Sequence, residues 1–382
     1  MSFPGSPSPP PAGGKGGESP SSGSGSGSGS GYFDYAASAP PFAEALARQQ
    51  EVAAKLFASP SSTHGAGRRA KEILDAARKD ILRLLGFPDA TLVLTSGGTE
   101  ANNLVLRSVL EGRILLAADV HPSAWFAKEA WPKRVEVLPV GADGRLQWTS
   151  TKAALVSVLH GNNETGLVHE LKEVGVPLHV DAVQSVGHLP LDQLPFTYLT
   201  FSAHKFGGPR GVGGVVVRNG ALAPQIIGGG QERGARGGTE NVAGLAATAL
   251  ALEASLRMME VETQRLRGLA RKLQAELLAK IPGLVANSDP ESGLPGLVSV
   301  SIPDLAGETV VQEMDLRGFA ISAGAACGSG KMEPSRVLLA RGLPRNLALG
   351  MLRISMGRLT KDVDALGAAL AEVVKKQREL AT

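Results

Sequence analysis

An acidic and a basic side chain stand at the ends of two neighbouring candidate strands. Asp181 follows the candidate strand 177–180, and Lys205 follows the candidate strand 198–201. The carboxyl ends of parallel strands meet in one crevice of an α/β sheet, so both side chains could face one ligand. A lysine amine forms a Schiff base with an aldehyde cofactor, and a carboxylate keeps a pyridine nitrogen protonated. The pair favours pyridoxal phosphate (PLP) chemistry, although a solvated lysine and a helix-capping aspartate would account for either residue alone.

A glycine-rich segment, 96–100 (SGGTE), follows the candidate strand 91–95 and opens a helical stretch. Backbone N–H groups at a helix N-terminus bind anions, and nearby hydroxyls add hydrogen bonds. Taken alone, such a segment is more often a simple turn, and it favours a phosphate cradle when considered together with Lys205 and Asp181. It lacks the G-x-G-x-x-G order of dinucleotide-binding loops. The segment 328–331 (GSGK) is not a P-loop, because Ala325 and Met332 stand where Gly and Ser or Thr are required. Because neither segment matches a nucleotide-binding loop, nucleotide binding is excluded.

The elements that must position these residues follow from apolar patterning. Seven short β-rich runs are predicted as strands at 91–95, 114–117, 135–138, 154–159, 177–180, 198–201 and 212–217. Several are apolar without alternation, as strands covered on both faces are, and most are separated by helix-compatible stretches. This pattern predicts an α/β fold. A long Ala/Leu-rich helical stretch to about Ile281 precedes a smaller α+β set: strands 297–302, 319–322 and 352–355, with a helix near 308–317.

Charge balance, cysteine count and apolar runs exclude several classes of protein. The chain has 382 residues, 39 basic and 36 acidic, a balance too even to predict a nucleic-acid surface. A single cysteine excludes an internal disulfide framework and a multi-thiolate metal site, and fits a cytoplasmic location. No run of 18 apolar residues is present, so no membrane span is predicted. Residues 1–31 are rich in Ser, Gly and Pro and are expected to form a disordered, dispensable tail.

Ten short motifs in order give the chain a family resemblance. They are 32–37 (YFDYAA), 61–64 (SSTH), 95–103 (TSGGTEANN), 121–123 (HPS), 162–166 (NNETG), 179–185 (HVDAVQS), 202–205 (SAHK), 228–233 (GGGQER), 238–241 (GTEN) and 353–355 (RIS). The chain resembles PLP-dependent cysteine desulfurases of the NifS/IscS type, in the class V aminotransferase family of fold-type I. The resemblance runs from Tyr32 to about Thr360 and implies a mostly parallel seven-stranded sheet flanked by helices. It further implies a large PLP-binding domain at 32–280, whose first part can pack with a small domain at 281–382.

The resemblance also assigns roles to individual residues. Lys205 would carry PLP, Asp181 would pair with the pyridine nitrogen, and His121 would stack on the ring and move protons at the substrate thiol. The remaining contacts to the cofactor would come from Asn163 and Gln184 at the ring oxygen, and from Gly98, Thr99, Ser202 and His204 at the phosphate. Thr239 would reach the phosphate from the second subunit of a homodimer. Arg353 would bind the substrate carboxylate, beside Asn163, a task that suits a planar guanidinium; a surface salt bridge is the alternative for Arg353.

Cys327 lies in a Gly/Ala/Ser run, 322–330 (SAGAACGSG), which is expected to be mobile and exposed, whereas a structural cysteine usually has bulky apolar neighbours. By the resemblance, its thiolate would take sulfur from L-cysteine as a persulfide and leave L-alanine. The sulfur would pass to an acceptor protein, such as an iron–sulfur cluster scaffold or a tRNA-thiolation protein. No metal, nucleic acid or membrane is expected as a direct partner.

Two other functions remain open from the sequence. One keeps the PLP site but changes the reaction, to that of a selenocysteine lyase or another PLP-dependent lyase or aminotransferase. Such an enzyme has no need of a mobile thiol. The other is a non-catalytic scaffold paralogue, which retention of Lys205, Asp181 and His121 argues against. The stretch 167–176 is shorter than the usual crossover of the family, so a turn is expected there instead of a helix.

Overall fold

The computed structural model describes residues 31–149, 152–324 and 333–381. The helices are α1 (Ala43–Lys55), α2 (Gly65–Leu84), α3 (Gly98–Ser108), α4 (Pro122–Ala130), α5 (Val242–Lys280), α6 (Gly307–Leu316), α7 (Arg336–Ala340), α8 (Arg345–Leu349) and α9 (Asp364–Ala381). The strands are β1 (Thr91–Thr95), β2 (Ile114–Ala117), β3 (Val135–Leu138), β4 (Leu155–Leu159), β5 (Leu178–Asp181), β6 (Tyr198–Ser202), β7 (Gly213–Val217), β8 (Val285–Ala286), β9 (Leu297–Ser301), β10 (Ser322–Ala323) and β11 (Met351–Ser355).

The larger sheet has seven strands in the order β1-β7-β6-β5-β4-β2-β3. The five strands β2 to β6 run parallel to one another. Strand β7 lies between β1 and β6 and is antiparallel to both. Every residue of β2, β4 and β5 is buried, which explains why these runs are apolar without alternation. The predicted α/β fold with a mostly parallel seven-stranded sheet is confirmed.

The connections between strands differ from the expectation that most contain helices. A helix follows β1 and another follows β2, but no helix occurs between β4 and β5 or between β5 and β6. Residues 167–176 contain no helix, as expected, but in place of a turn they form an irregular segment with an isolated bridge from Val168 to Gly161 and a bend at 175–176. Much of the helical cover instead comes from outside these connections, because α1, α2 and the first half of α5 pack together and share the core of the sheet through Val52, Leu74 and Leu245.

The smaller sheet has the order β10-β11-β9-β8, and each neighbouring pair is antiparallel. Its core takes in the second half of α5 together with α6 and α9, and it also contains Phe33 from the start of the described chain. Two isolated bridges, Tyr32 to Ala320 and Asp34 to Ser355, tie that N-terminal segment to the smaller sheet. The predicted smaller α+β set is thus present.

Helix α5 belongs to both cores. Its residues up to Ala254 pack with the larger sheet, and those from Leu266 onward pack with the smaller one. The proposed division of the chain at residue 280 stays a prediction, since the cores change over inside this helix. Part of α5 is long and apolar enough to cross a membrane by length and composition, with a mean hydropathy of 1.3, and 56% of that stretch is buried in the protein. The sequence criterion, an uninterrupted run of 18 apolar residues, is not met, because Glu253 interrupts the apolar part of this helix. Burial in a protein core requires a similarly apolar composition.

Candidate active site

A cleft of about 580 Å³ opens at the carboxyl ends of the large-sheet strands and reaches the smaller sheet. Its lining includes every site residue proposed from the sequence except two: Gly98, Thr99, His121, Asn163, Asp181, Gln184, Ser202, His204, Lys205 and Arg353 line it together. Thr239 is exposed and lies outside this lining. Cys327 falls outside the described residues. The topology thus brings together side chains from strands β5, β6 and β11 and from the turn after β1.

The turn from β1 into α3 forms a cradle that has no room for a side chain. Gly97 has a φ of 155°, and a Cβ on Gly98 would lie 2.7 Å from Cγ2 of Val183. The first N–H groups of α3 have no partner within the helix and can bind an anion. Ser202, the last residue of β6, lies beside this turn, since its Oγ would be 3.5 Å from a Cβ on Gly97.

His204 is also in the lining of the cleft, and its Nδ1 lies 3.2 Å from the Ser38 hydroxyl. Burial lowers the pKa of His204 to about 4, with further contributions from the positive charges of Lys205 and Arg210. The ring is therefore neutral at pH 7. It can donate or accept a hydrogen bond at the cradle, but it adds no charge there.

Lys205 ends a short 3₁₀ turn that directly follows β6. Its Nζ donates hydrogen bonds to the carbonyl oxygens of Ala36, at 2.6 Å, and of the next residue, at 2.9 Å. The pKa of Lys205 is lowered to about 8. Burial is the largest cause and the charge of Arg353 adds to it, while Asp34 and Asp181 act in the opposite direction. The amine is therefore closer to its nucleophilic, uncharged form at neutral pH than an exposed lysine is.

Asp181 is buried at the end of β5, where both carboxylate oxygens are held. Oδ1 accepts from the N–H of Val183 at 3.0 Å, and Oδ2 accepts from the side-chain amide of Asn102 at 2.6 Å. Gln184, three residues on, donates from Nε2 to the Ala36 carbonyl at 2.9 Å. These contacts fix the carboxylate in one orientation at the floor of the cleft.

His121 caps the N-terminus of α4, and its Nδ1 accepts from the Ser123 N–H at 3.1 Å and lies 2.7 Å from the Ser123 hydroxyl. The residue as a whole is exposed to the open cleft, yet desolvation by the surrounding protein is the largest cause that lowers the pKa of its imidazole. Its charged neighbours are Asp181, which raises the pKa, and three cations that lower it, Lys205, Arg336 and Arg353. A neutral ring whose Nδ1 accepts hydrogen bonds carries its proton on Nε2.

Arg353 brings the smaller sheet to the cleft. It is buried on β11, with Nη2 2.7 Å from Oδ1 of Asp34 and Nη1 3.1 Å from the Asn163 carbonyl oxygen. Its Nε has no hydrogen-bond partner among the described residues. The predicted surface salt bridge is thus wrong in its location, because the ion pair with Asp34 is in the cleft wall. That pair positions the guanidinium and leaves other N–H groups for a ligand.

The loop that carries Asn163 is fixed by its neighbour. Asn162 is fully buried, and its Oδ1 accepts from the N–H groups of Glu164 and Thr165, both at 2.9 Å. Its Nδ2 donates to the carbonyl oxygen of Asp119 at 3.2 Å. In the Asn-Asn pair, the first residue therefore shapes the turn and the second lines the cleft.

Asn102 and Arg336 also line the cleft, and neither was proposed from the sequence. Asn102 holds Asp181, and Arg336 donates to the carbonyl oxygens that precede His121 and stacks its guanidinium 4.1 Å from the Trp125 ring centroid. A signal for Asn102 was present, because it lies four residues after Gly98 in a predicted helix and so shares its face. No local signal marks Arg336.

The chain matches known proteins over most of its length. The aminotransferase class-V family matches residues 31–366 of the chain. The chain belongs to the aminotransferase class-V family. Among curated members, a cysteine desulfurase IscS of Dictyoglomus turgidum is 33% identical over 376 residues, which covers 91% of this chain and 95% of that protein. Cysteine desulfurase IscS 1 of Archaeoglobus fulgidus is 34% identical over 377 residues, covering 91% of this chain and 98% of its own length.

Solved structures of class V relatives agree with these matches. A NifS-like protein superposes with a TM-score of 0.80 at 28% identity, covering 92% of this chain and 99% of its own. A NifS-like protein from Rickettsia africae gives a TM-score of 0.81 at 27% identity, with the same coverage. The resemblance to NifS/IscS-type proteins inferred from the sequence is confirmed. Among residues 31–149, 152–324 and 333–381, no group of three or more His, Cys, Asp or Glu side chains could hold a metal ion.

Proposed function

We propose that this protein is a PLP-dependent cysteine desulfurase, which converts L-cysteine to L-alanine and transfers the sulfur to Cys327 as a persulfide. The observation that carries the proposal is the convergence, in one cleft, of the Lys205 amine, the Asp181 carboxylate and the Arg353 guanidinium. Relatives named cysteine desulfurase match over most of the chain and support the reaction.

The residues of the cleft fit PLP. The start of α3 supplies N–H donors for an anion, and Gly98 at this turn leaves no space for a side chain because a Cβ there would meet Val183. We assign the phosphate to this cradle with Thr99, Ser202 and His204, the aldehyde to Lys205, the pyridine nitrogen to Asp181, and the ring oxygen to Asn163 and Gln184. When bound, PLP withdraws electrons from the amino acid joined to it and stabilises negative charge on its carbons.

The chain's own residues supply binding and proton transfer. Arg353, held by Asp34, binds the substrate carboxylate beside Asn163 and fixes the position of the amino acid. Lys205, with its pKa lowered to about 8, can move a proton at Cα near neutral pH. His121, which lines the same cleft, would contact the cofactor ring and would hold or move the proton at the substrate sulfur.

The sulfur transfer needs a second nucleophile. The Cys327 thiolate attacks the substrate sulfur, so that the carbon–sulfur bond breaks while a sulfur–sulfur bond forms, and the β-carbon gains a proton to give alanine. The persulfide then passes to an acceptor protein, for which an iron–sulfur scaffold or a tRNA-thiolation protein has suitable chemistry. The proposal includes a cytoplasmic homodimer in which Thr239 of each subunit completes the phosphate site of the other.

The test is an assay of PLP-loaded protein with L-cysteine and a reductant, following alanine and sulfide together. We expect equal amounts of both, and loss of both in Lys205→Ala and in Cys327→Ser. Lys172→Ala, which removes an exposed lysine outside the cleft, is the matched control and keeps the activity.

Other outcomes contradict the proposal in distinct ways. Product formation that survives Cys327→Ser would indicate a lyase, such as a selenocysteine lyase, that needs no thiol. Protein that binds PLP but leaves cysteine unchanged would indicate a different substrate or an aminotransferase reaction. A chain that fails to take up PLP would indicate a non-catalytic scaffold.

A further inference from the structure

Asp181 and His121 are joined by two intervening side chains. The Nδ2 of Asn102 lies 2.6 Å from Oδ2 of Asp181 and 2.9 Å from Oγ of Ser123, and that oxygen lies 2.7 Å from Nδ1 of His121. Asn102 and Ser123 are both buried. The two groups proposed to contact opposite parts of the cofactor thus share one hydrogen-bond network.

The direction of each hydrogen bond is set by chemistry. An ionised carboxylate only accepts, so the amide nitrogen of Asn102 must face Asp181. Its Oδ1 then accepts from the hydroxyl of Thr200 at 2.6 Å. The second N–H of the same amide is donated to Ser123, whose hydroxyl hydrogen is left for Nδ1 of His121. The Ser123 hydroxyl therefore donates to the ring, as its backbone N–H does.

A buried histidine behind the site continues the same direction of hydrogen bonding. His179 is fully buried, and burial lowers its pKa to about 4, so the ring is neutral. Its Nδ1 lies 2.8 Å from the Ser157 hydroxyl and its Nε2 3.5 Å from Oγ1 of Thr200. Since the Thr200 hydrogen is already donated to Asn102, the Thr200 oxygen can only accept from Nε2. The hydrogens thus all point from β4 toward the cleft.

We propose that Asn102 is a positioning residue that couples the two ends of the site: it holds the Asp181 carboxylate and, through Ser123, keeps His121 neutral with its proton on Nε2. An imidazolium would place an N–H on Nδ1 against the backbone N–H of Ser123 and would require the Ser123 hydroxyl hydrogen to turn away from the ring, which is unfavourable. The nitrogen left for the substrate is therefore a hydrogen-bond donor. This inference rests on the proposed function for its use, but the network itself does not depend on it.

The tautomer and titration of His121 can be measured in the apoprotein by NMR of ¹⁵N-labelled histidines, with its signals assigned by their loss in His121→Gln. In the wild type we expect the proton on Nε2. The charged groups that face the ring are Asp181 on β5, Lys205 after β6, Arg336 on α7 and Arg353 on β11, and all remain in the variants. Ser123→Ala should raise the proton affinity of His121 about threefold to tenfold, since both states then lack the hydroxyl donor.

A double-mutant cycle tests the role of Asn102. Made alone, Asn102→Leu should raise the proton affinity of His121. Added to Ser123→Ala, it should have no further effect, because Asn102 acts through the Ser123 hydroxyl. Ser123→Thr, which keeps the hydroxyl, should restore the wild-type titration. Asn102→Leu should also weaken PLP binding about tenfold by releasing Asp181, a larger loss than in Ser123→Ala, which leaves the contact of Asn102 with Asp181 in place.

Asn287→Leu is the matched control, because Asn287 is also buried and donates to a serine hydroxyl, that of Ser301 at 2.9 Å, but in the smaller sheet. It should not change the His121 titration. A wild-type proton on Nδ1, or an unchanged titration in Ser123→Ala, would overturn the inference even if the desulfurase assay succeeds. Failure of that assay with the expected titrations would overturn the proposed function and leave the network standing.

Discussion

Lys205 combines two features that oppose each other. Its amine is held by two backbone carbonyls, which suit an ammonium, yet burial and the neighbouring Arg353 disfavour the charge. Asp34 acts on both cations, because it pairs with Arg353 and also raises the pKa of Lys205. The reactivity of the lysine therefore depends on a carboxylate 171 positions away in the sequence.

The rate at which the apoprotein captures PLP should depend on pH accordingly. Only the uncharged amine attacks the aldehyde, so the rate should rise with pH with a midpoint near 8. Asp34→Asn should move the midpoint to lower pH, because it removes a negative charge that favours the ammonium and leaves Arg353 unpaired. Stopped-flow absorbance measures the rate of PLP capture from about pH 6.5 to about pH 9.5, a range that brackets the lowered pKa of the lysine.

Asp75→Asn is the control for that experiment, since it removes an exposed carboxylate paired only with Lys71 on α2. It should leave the profile unchanged. A midpoint near 10.5, the ordinary value for lysine, would contradict the account of the site.

Residue types and strand ends were enough to nominate Lys205 and Asp181, because the carboxyl end of a parallel sheet collects such groups. Their partners were not predictable in the same way. The contact of Asn102 with Asp181 joins two elements far apart in the sequence, and the pairing of Arg353 with Asp34 joins the two ends of the described chain. Such contacts depend on how the elements pack, which periodicity does not encode.

At the scale of elements, the turn between β1 and α3 is set by its neighbour across the cleft. Val183 follows β5 and occupies the space that a side chain on Gly98 would need. The branched side chain of valine has little freedom to withdraw. The shape of the cradle thus depends on two residues from different elements, one at the start of α3 and one after β5.

Gly98→Ala should therefore weaken PLP binding, by about tenfold, because the added methyl group must displace Val183 or the turn. Gly98→Ala combined with Val183→Ala should restore most of the affinity, since the shortened side chain leaves room for the methyl group. Val183→Ala alone is the control and should bind PLP normally. Equilibrium titration of the apoproteins with PLP measures all three, and a double variant as weak as Gly98→Ala would show that the contact is not the cause.

Strands were easier to predict than the helices that cover them. The strand positions agree to within a residue or two in the large sheet, because each is a short apolar run bounded by turn residues. The connection after β5 contains no helix, although helix-compatible stretches were expected between most strands, and the connection after β4 contains none either. Helices α1, α2 and α5 pack instead with the core of the sheet from distant parts of the chain. Which helix covers a strand is a tertiary choice, and local propensity does not determine it.

At the scale of the whole molecule, the described chain begins inside the fold. Gly31 accepts a hydrogen bond from the Ala320 N–H at 2.8 Å, and Phe33 is buried in the core of the smaller sheet. The composition of residues 1–30 offers almost no apolar surface to bury. The boundary between dispensable and required sequence should therefore be sharp.

Deletion of residues 1–30 should leave PLP binding, oligomeric state and the free energy of unfolding unchanged. Phe33→Ala, by contrast, should lower the free energy of unfolding by about 3–5 kcal/mol through the cavity that it leaves. Denaturant unfolding followed by circular dichroism, with light scattering for the oligomeric state, distinguishes the two. Loss of PLP or of assembly on deleting 1–30 would show that the tail is needed.

The unbroken helix α5 has a consequence for how the protein holds together during unfolding. Its 39 residues span about 58 Å, so one rod is shared by two hydrophobic cores. Neither core can melt without exposing half of an apolar helix that the other half keeps rigid. We therefore expect the unfolding of the two sheets to be coupled through this helix, despite their separate topology.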